Sequence, residues 1–100
     1  MTRPDGIISV EPKAVATYTA MCWIGDDKDP ALLWMAERYG WKIAGMRDSL
    51  RKGRALMIVG KNNKRYLVAH GDYIIALGAN GSLRVATVKE FDSDYREASA

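Results

Sequence analysis

The side chains able to make or break bonds are few in this chain and lie far apart. Cys22 is the only cysteine and His70 the only histidine. A nucleophile of the Ser–His or Cys–His kind needs its base within hydrogen-bond reach. Cys22 falls in an apolar stretch, the setting of an inert buried thiol, and His70 sits in a turn beside Gly71. Structural zinc asks for about four Cys, His or carboxylate ligands, which this pair does not supply. Asp26-Asp27-Lys28-Asp29 is acidic enough to attract calcium, but the EF-hand spacing, its turn glycine and its terminal glutamate are missing. Asp29 reads instead as a helix cap. Gly78-Ala79-Asn80-Gly81 leads into a strand rather than a helix, so it lacks the N–H cradle of a phosphate loop. Asp72 reads as ordering its own turn through a side-chain-to-backbone bond. No catalytic residue, metal ligand or cofactor is expected, and the chain reads as a non-enzyme.

Binding chemistry is better represented. Between Lys42 and Arg65 lie eight basic residues, Lys42, Arg47, Arg51, Lys52, Arg54, Lys61, Lys64 and Arg65, against the single acid Asp48. The whole chain carries only +3, so the remainder is net acidic. A basic middle between acidic ends suits an anionic partner; the alternative is a solvated loop and hairpin. Three tryptophans are many for 100 residues. Trp23 belongs to an apolar strand and reads as core. Trp34 falls off the apolar stripe of its helix, and Trp41 adjoins the basic segment. Exposed tryptophans beside Arg and Lys stack on bases or anchor protein interfaces, although tryptophans also pack under loops. The candidate binding residues are therefore Trp34, Trp41, Arg47, Arg51, Lys52, Arg54, Lys61, Lys64 and Arg65.

The elements that must position these residues follow from local pattern. Ile7-Ile8-Ser9-Val10 is a short apolar run stopped by Pro12. Ala14–Ile24, rich in Val, Thr, Tyr and Trp, predicts a strand. Asp29-Pro30 is a helix start, with Asp as N-cap and proline pre-set in φ. Leu32, Leu33, Ala36 and Tyr39 then share a face until Gly40 ends the helix. Gly45–Gly53, bounded by glycines and mostly polar, reads as a mobile loop or a single helical turn, with the loop favoured. Four strands follow, at 55–59, 65–69, 73–77 and 83–86. Their Gly- and Asn-containing connections predict an antiparallel meander. Tyr73–Leu77 is apolar on both faces, as in a central strand. Thr87 and Glu90 have capping-box spacing, opening a short helix with Val88, Phe91 and Tyr95 on one face.

The expected fold is α+β: an antiparallel meander of about four to five strands, a central helix at about 30–39 and a short C-terminal helix at about 88–95. One hundred residues make one domain, with 1–6 and 97–100 frayed. With 48% apolar and 27% charged residues the composition is that of a globular protein, not a disordered one. There is no apolar leader at the N-terminus and no run near the roughly 20 residues of a membrane span. An unpaired cysteine fits a reducing compartment. A small sheet leaves edges, and an apolar edge such as Ala55–Val59 would pair with a second copy or be covered.

With the last strands and helix placed, a resemblance emerges. Gly71-Asp72-Tyr73-Ile74-Ile75, then Gly78 and Gly81, then Phe91 and Tyr95, resemble the closing portion of a family of small phage- and prophage-encoded domains. Trp23-Ile24-Gly25-Asp26-Asp27 and the helix from Pro30 are similar to that family's Trp-x-Gly strand end, polar turn and helix. The likeness spans about 14–44 and 54–96. Here Gly81-Ser82 replaces the family's Gly-Glu, Arg84–Val88 replaces a Pro-Cys-Lys-Pro-like helix entry, and the basic Met46–Arg54 has no counterpart. The resemblance implies a phage origin and assigns no mechanism. A phage accessory protein that occupies a host protein, as an inhibitor of a defence or regulatory factor in the host cytoplasm, is the first expectation. Binding of nucleic acid or a nucleotide signal by the 42–65 segment is the second, and a minor virion component the third.

Overall fold

A computed structural model describes residues 4–12, 18–78 and 81–97. In chain order these form β1 (Ile8–Pro12), β2 (Tyr18–Cys22), α1 (Pro30–Tyr39), β3 (Lys42–Ser49), β4 (Gly53–Val59), β5 (Arg65–Ala69), β6 (Tyr73–Ala76), β7 (Leu83–Ala86), α2 (Val88–Asp94) and β8 (Tyr95–Glu97). The fold is α+β and every strand pair is antiparallel. The strands number more than expected and form two sheets, a five-stranded one in the order β7-β6-β2-β1-β8 and a three-stranded one in the order β3-β4-β5. Pro4–Gly6, expected to fray, are placed as a turn into β1, and Glu97 ends β8; the rest of the expected frayed ends, 1–3 and 98–100, lies outside the described residues. So does 13–17, so that the expected 14–24 strand is described as β2 alone. No helix is long and apolar enough to cross a membrane.

The expected meander breaks between β5 and β6, and the turn that joins them shows why. Trp23 accepts the Gly71 N–H at 2.7 Å and donates its own to the Asp72 carbonyl at 2.9 Å. The turn is thereby stitched to the end of β2, and β6 continues in register with that strand, Cys22 opposite Tyr73 and Met21 opposite Ile74. β6 is thus central, as its two-sided apolar sequence requires: Ile74 and Ile75 are both fully buried, in separate core clusters on the two faces of the sheet. The first cluster joins Met21, Trp23 and Ile74 to α1 and to Leu56, Ile58 and Val68 of the three-stranded sheet. The second gathers Val10, Ala20, Ile75 and Ala86 under Phe91 and Tyr95.

The helices start as their sequences dictate. Asp29 accepts the Ala31 N–H at 2.8 Å, and Gly40, at φ 77°, ends α1 in the left-handed conformation. The buried face of α1 is Ala31, Leu32, Met35 and Ala36, with Tyr39 half-buried and Leu33 exposed. Residues advance about 100° each along a helix, so a stripe centred on Leu32, Met35 and Ala36 leaves Leu33 to one side; the expected stripe omitted Met35. In α2 the capping box closes, with Thr87 and Glu90 exchanging bonds. Phe91 is buried; Tyr95, expected on the same helix, is buried too but stands in extended backbone as the first residue of β8, while Val88, expected beside them, is exposed.

The expected loop at Gly45–Gly53 is largely strand. Gly45 is the site of a β-bulge: at φ 91° it takes the extra residue of β3, leaving Ala44 outside the register with β4. The glycine marks an irregularity within a strand, and β3 runs on to Ser49 before the three-residue turn Leu50–Lys52. Nor is Ala55–Val59 an edge: β4 is the middle strand of its sheet, flanked by β3 and β5. That placement removes the expected route to self-pairing.

Candidate functional site

The register of the three-stranded sheet sorts its side chains by face. Met46, Leu56 and Val68 form one row across the strands, and Ile43, Ile58 and Tyr66 another; both rows belong to the first core cluster. The opposite face carries Lys42, Val59 and Arg65 in one row, Gly45, Met57 and Leu67 in the next, and Arg47, Ala55 and Ala69 in the third. Lys42, Arg47 and Arg65 are exposed, while Met57, Val59 and Leu67 are half-buried. Alternation along three strands thus builds an apolar strip with a cationic rim on the face turned away from the core.

The candidate basic residues fall into two groups at opposite ends of this sheet. Arg51 and Lys52 occupy the β3–β4 turn, and Arg54 follows it; Lys61 and Lys64 occupy the β4–β5 turn, and Arg65 opens β5. Seven residues of β4 separate the groups, about 20 Å of extended chain. The structure does not bring them into one patch. Lys61 lays its stem against Gly40 and Gly81, and Lys64 holds its ammonium 5.5 Å from the centre of the Tyr66 ring. The first group is the more projecting. Between Ser49 and Arg51 the tip presents Leu50, which is fully exposed. Arg54 pairs with Asp48 at 3.3 Å across the hairpin, both largely in solvent.

Neither candidate tryptophan is an exposed platform. Trp41 is buried, stacks against Tyr39 with ring centroids 5.4 Å apart and donates its indole N–H to the Gly81 carbonyl. It is therefore unavailable for the flat contact expected of it. Its position directly after the αL glycine drives it under the β6–β7 connection rather than out beside the basic segment. Trp34 is half-buried against the first core cluster. Trp23 is core, as expected, with its indole N–H on the Asp26 carbonyl.

Lys52 behaves unlike its neighbours. Its ammonium lies 3.1 Å from Asp72 Oδ2 and 2.9 Å from the Leu67 carbonyl. Asp72 is the one buried charged residue among the described residues, and the same Oδ2 accepts the Ala69 N–H at 3.0 Å, the turn-ordering bond its sequence position suggests. The pair ties the β3–β4 turn to the β5–β6 turn. Beside it opens a cleft of about 580 Å³ lined by Ser49, Arg51, Lys52, Leu67, Ala69, Asp72 and Thr87. Nothing in the sequence pattern marks this cleft, because its walls come from three segments that meet only once β5 and β6 part into different sheets. Asp72 was legible as a turn former; its pairing with Lys52, twenty residues away, was not.

Cys22 and His70 do not form a pair. The Cys22 thiol lies 3.4 Å from the Gly71 carbonyl, and burial, with the nearby Asp72 charge adding to it, pushes its pKa up. That is the opposite of what a nucleophile needs. The His70 ring faces Gly25. The acidic run is used locally: Asp26 Oδ1 accepts the Lys28 N–H, and Asp29 caps α1. Comparison with protein families, with curated proteins and with solved structures finds no match to the chain.

Proposed function

We propose that the chain is a phage accessory protein that acts without catalysis by occupying a host protein, and that the β3–β4 hairpin makes the contact. The phage origin rests on the resemblance of the Trp-x-Gly strand end and the Gly-Asp-aromatic-Ile-Ile segment. The contact rests on one observation, the fully exposed Leu50 at a hairpin tip flanked by exposed Arg47, Arg51 and Arg54. Arginines are enriched at interface hot spots, and an exposed leucine at the tip adds nothing to the core. The partner surface that fits is an apolar socket with an acidic rim, such as a host defence or regulatory factor would need to offer.

The test is capture from host lysate followed by titration of the purified partner. Leu50→Asp should lower affinity at least tenfold with the melting temperature unchanged. Equal affinity for wild type and Leu50→Asp would overturn the reading. Nucleic-acid binding is a second reading, favoured by the alignment of Lys42, Arg65 and Arg47 on one sheet face. Its mark is a steep fall in affinity with salt, because each neutralised phosphate releases counterions. An interface anchored by Leu50 changes far less.

A further inference from the structure

We propose that the cleft between the β3–β4 turn and the β5–β6 turn binds a small organic phosphate, held by Arg51 and Lys52. This site goes beyond the Leu50 contact, with which it shares Arg51.

The acceptors that line the cleft are largely consumed within the protein. Ser49 Oγ takes the backbone N–H groups of Arg51 and Lys52 at 3.3 and 3.2 Å. Thr87 Oγ1 takes the Glu90 N–H at 3.1 Å. Asp72 Oδ2 takes both Lys52 and the Ala69 N–H, and its Oδ1 has no donor among the described residues. Unspent donors outnumber that oxygen. An ammonium has three N–H groups and a guanidinium five. Lys52 commits its ammonium to two acceptors, the Leu67 carbonyl and Asp72, leaving one N–H. The Arg51 guanidinium has no hydrogen bond or ion pair among the described residues. Neither the Ser49 nor the Thr87 hydroxyl donates a hydrogen bond among the described residues.

Charge points the same way. Asp72 is offset by Lys52, so the cleft keeps one uncompensated positive charge on Arg51. A site rich in donors and net positive selects an oxyanion, and a phosphate, with three terminal oxygens, can meet a guanidinium, an ammonium and hydroxyls from different directions. The remainder of the lining is Leu67 and Ala69, an apolar floor for the organic body. The volume, about 580 Å³, lies within the range of small-molecule sites, roughly 300–1,000 Å³. The Lys52–Asp72 pair fixes the ammonium before any ligand arrives, which lowers the ordering cost of binding.

The test uses the full chain, labelled with ¹⁵N, titrated with AMP and separately with adenosine at constant ionic strength. AMP should shift the amides of Ser49, Arg51, Lys52, Ala69, Asp72 and Thr87 to saturation. Adenosine should bind at least tenfold more weakly. Arg51→Gln should weaken AMP at least tenfold, while Arg65→Gln, at the far end of the sheet, and the uncharged change Leu50→Ser, in the protein-contact surface, should leave the titration unchanged. Equal binding of AMP and adenosine, an Arg51→Gln variant that titrates like the wild type, or loss of AMP binding in Leu50→Ser would each overturn the proposal. Loss of partner binding in Leu50→Ser with AMP binding intact would uphold both readings separately.

Discussion

The indole N–H of Trp41 donates to the carbonyl of Gly81 across 2.8 Å, joining residues forty apart in sequence. Gly81 stands at φ 87°, and a Cβ there would lie 2.8 Å from the Tyr39 carbonyl oxygen and 2.9 Å from Lys61 Cβ. The β6–β7 connection can seat against the end of α1 only because this residue has no side chain. Trp41→Phe should cost about 1–3 kcal/mol, because it leaves a buried carbonyl without its donor. Gly81→Ala should cost at least as much, through strain at positive φ and backbone overlap. Urea unfolding of each variant and of the double variant checks both, and the joint loss should fall short of additive because the residues are in contact.

Phe91 and Val88 provide a matched pair on α2. Phe91 is buried, stacked between Tyr73 at 3.8 Å and Tyr95 at 5.7 Å between ring centroids. Phe91→Ala should destabilise by about 3–5 kcal/mol, whereas Val88→Ala should stay within about 0.5 kcal/mol, as for exposed positions generally. Comparable midpoints for the two variants in thermal unfolding would mean that α2 does not dock as described.

The contrast between these two residues shows what was legible in the sequence. Caps and turns depend on neighbours in the chain, so Asp29, Gly40, Thr87 with Glu90, and Asp72 could be read directly. The two-sided burial of Ile74 and Ile75 followed from an apolar run too short to be anything but a central strand. What could not be read depends on which strand meets which. The hairpin rule pairs successive strands, and it fails at Gly71 because Trp23 bonds to both sides of that turn. Gly45 looked like a loop boundary because a bulge and a loop ask for the same residue. The candidate basic residues were found by composition, yet their division between two ends of one sheet, and the Lys52–Asp72 contact, exist only in three dimensions.

Lys52 and Arg51 are neighbours with different fates under charge reversal. Arg51→Glu should change stability by less than about 0.5 kcal/mol, because its side chain is exposed. Lys52→Glu places a second carboxylate against buried Asp72 and removes the ammonium from two acceptors, at a cost on the order of 1–3 kcal/mol. A charge-reversal test of the hairpin should therefore use Arg47, Arg51 and Arg54 and spare Lys52. Chemical denaturation with Asp72→Asn as the partner substitution measures the coupling. Equal midpoints for Arg51→Glu and Lys52→Glu would contradict the ion pair.

The Cys22 thiol should react slowly. Burial first, and the Asp72 charge second, raise its pKa above the ordinary thiol value, so the thiolate fraction at any given pH is smaller than for a free cysteine. A pH–rate profile of alkylation should show a midpoint above that of a model thiol, and Asp72→Asn should move it partway back. The linked stability has a definite sign. Because the folded value is the higher one, the contribution is complete below the unfolded thiol's pKa and is lost as pH rises through the folded value. A midpoint at or below the model thiol would refute this environment.

The two sheets also differ in when they can exist. The three-stranded sheet draws all its strands from residues 42–69, in successive hairpins. The five-stranded sheet joins β1 and β2 to β6, β7 and β8, so its second strand must wait for a partner that starts at Tyr73. During synthesis the β1–β2 pair therefore leaves the ribosome with both flanks open, the β2 side until the entire insert of α1 and β3–β5 has been made and the β1 side until β8 follows. Closing the β2–β6 and β1–β8 spans costs loop entropy that the local hairpins of 42–69 do not, so the five-stranded sheet should be the later of the two to form. The nascent chain should then pass through a stage in which the basic hairpin is already formed while the core beneath it is still half built.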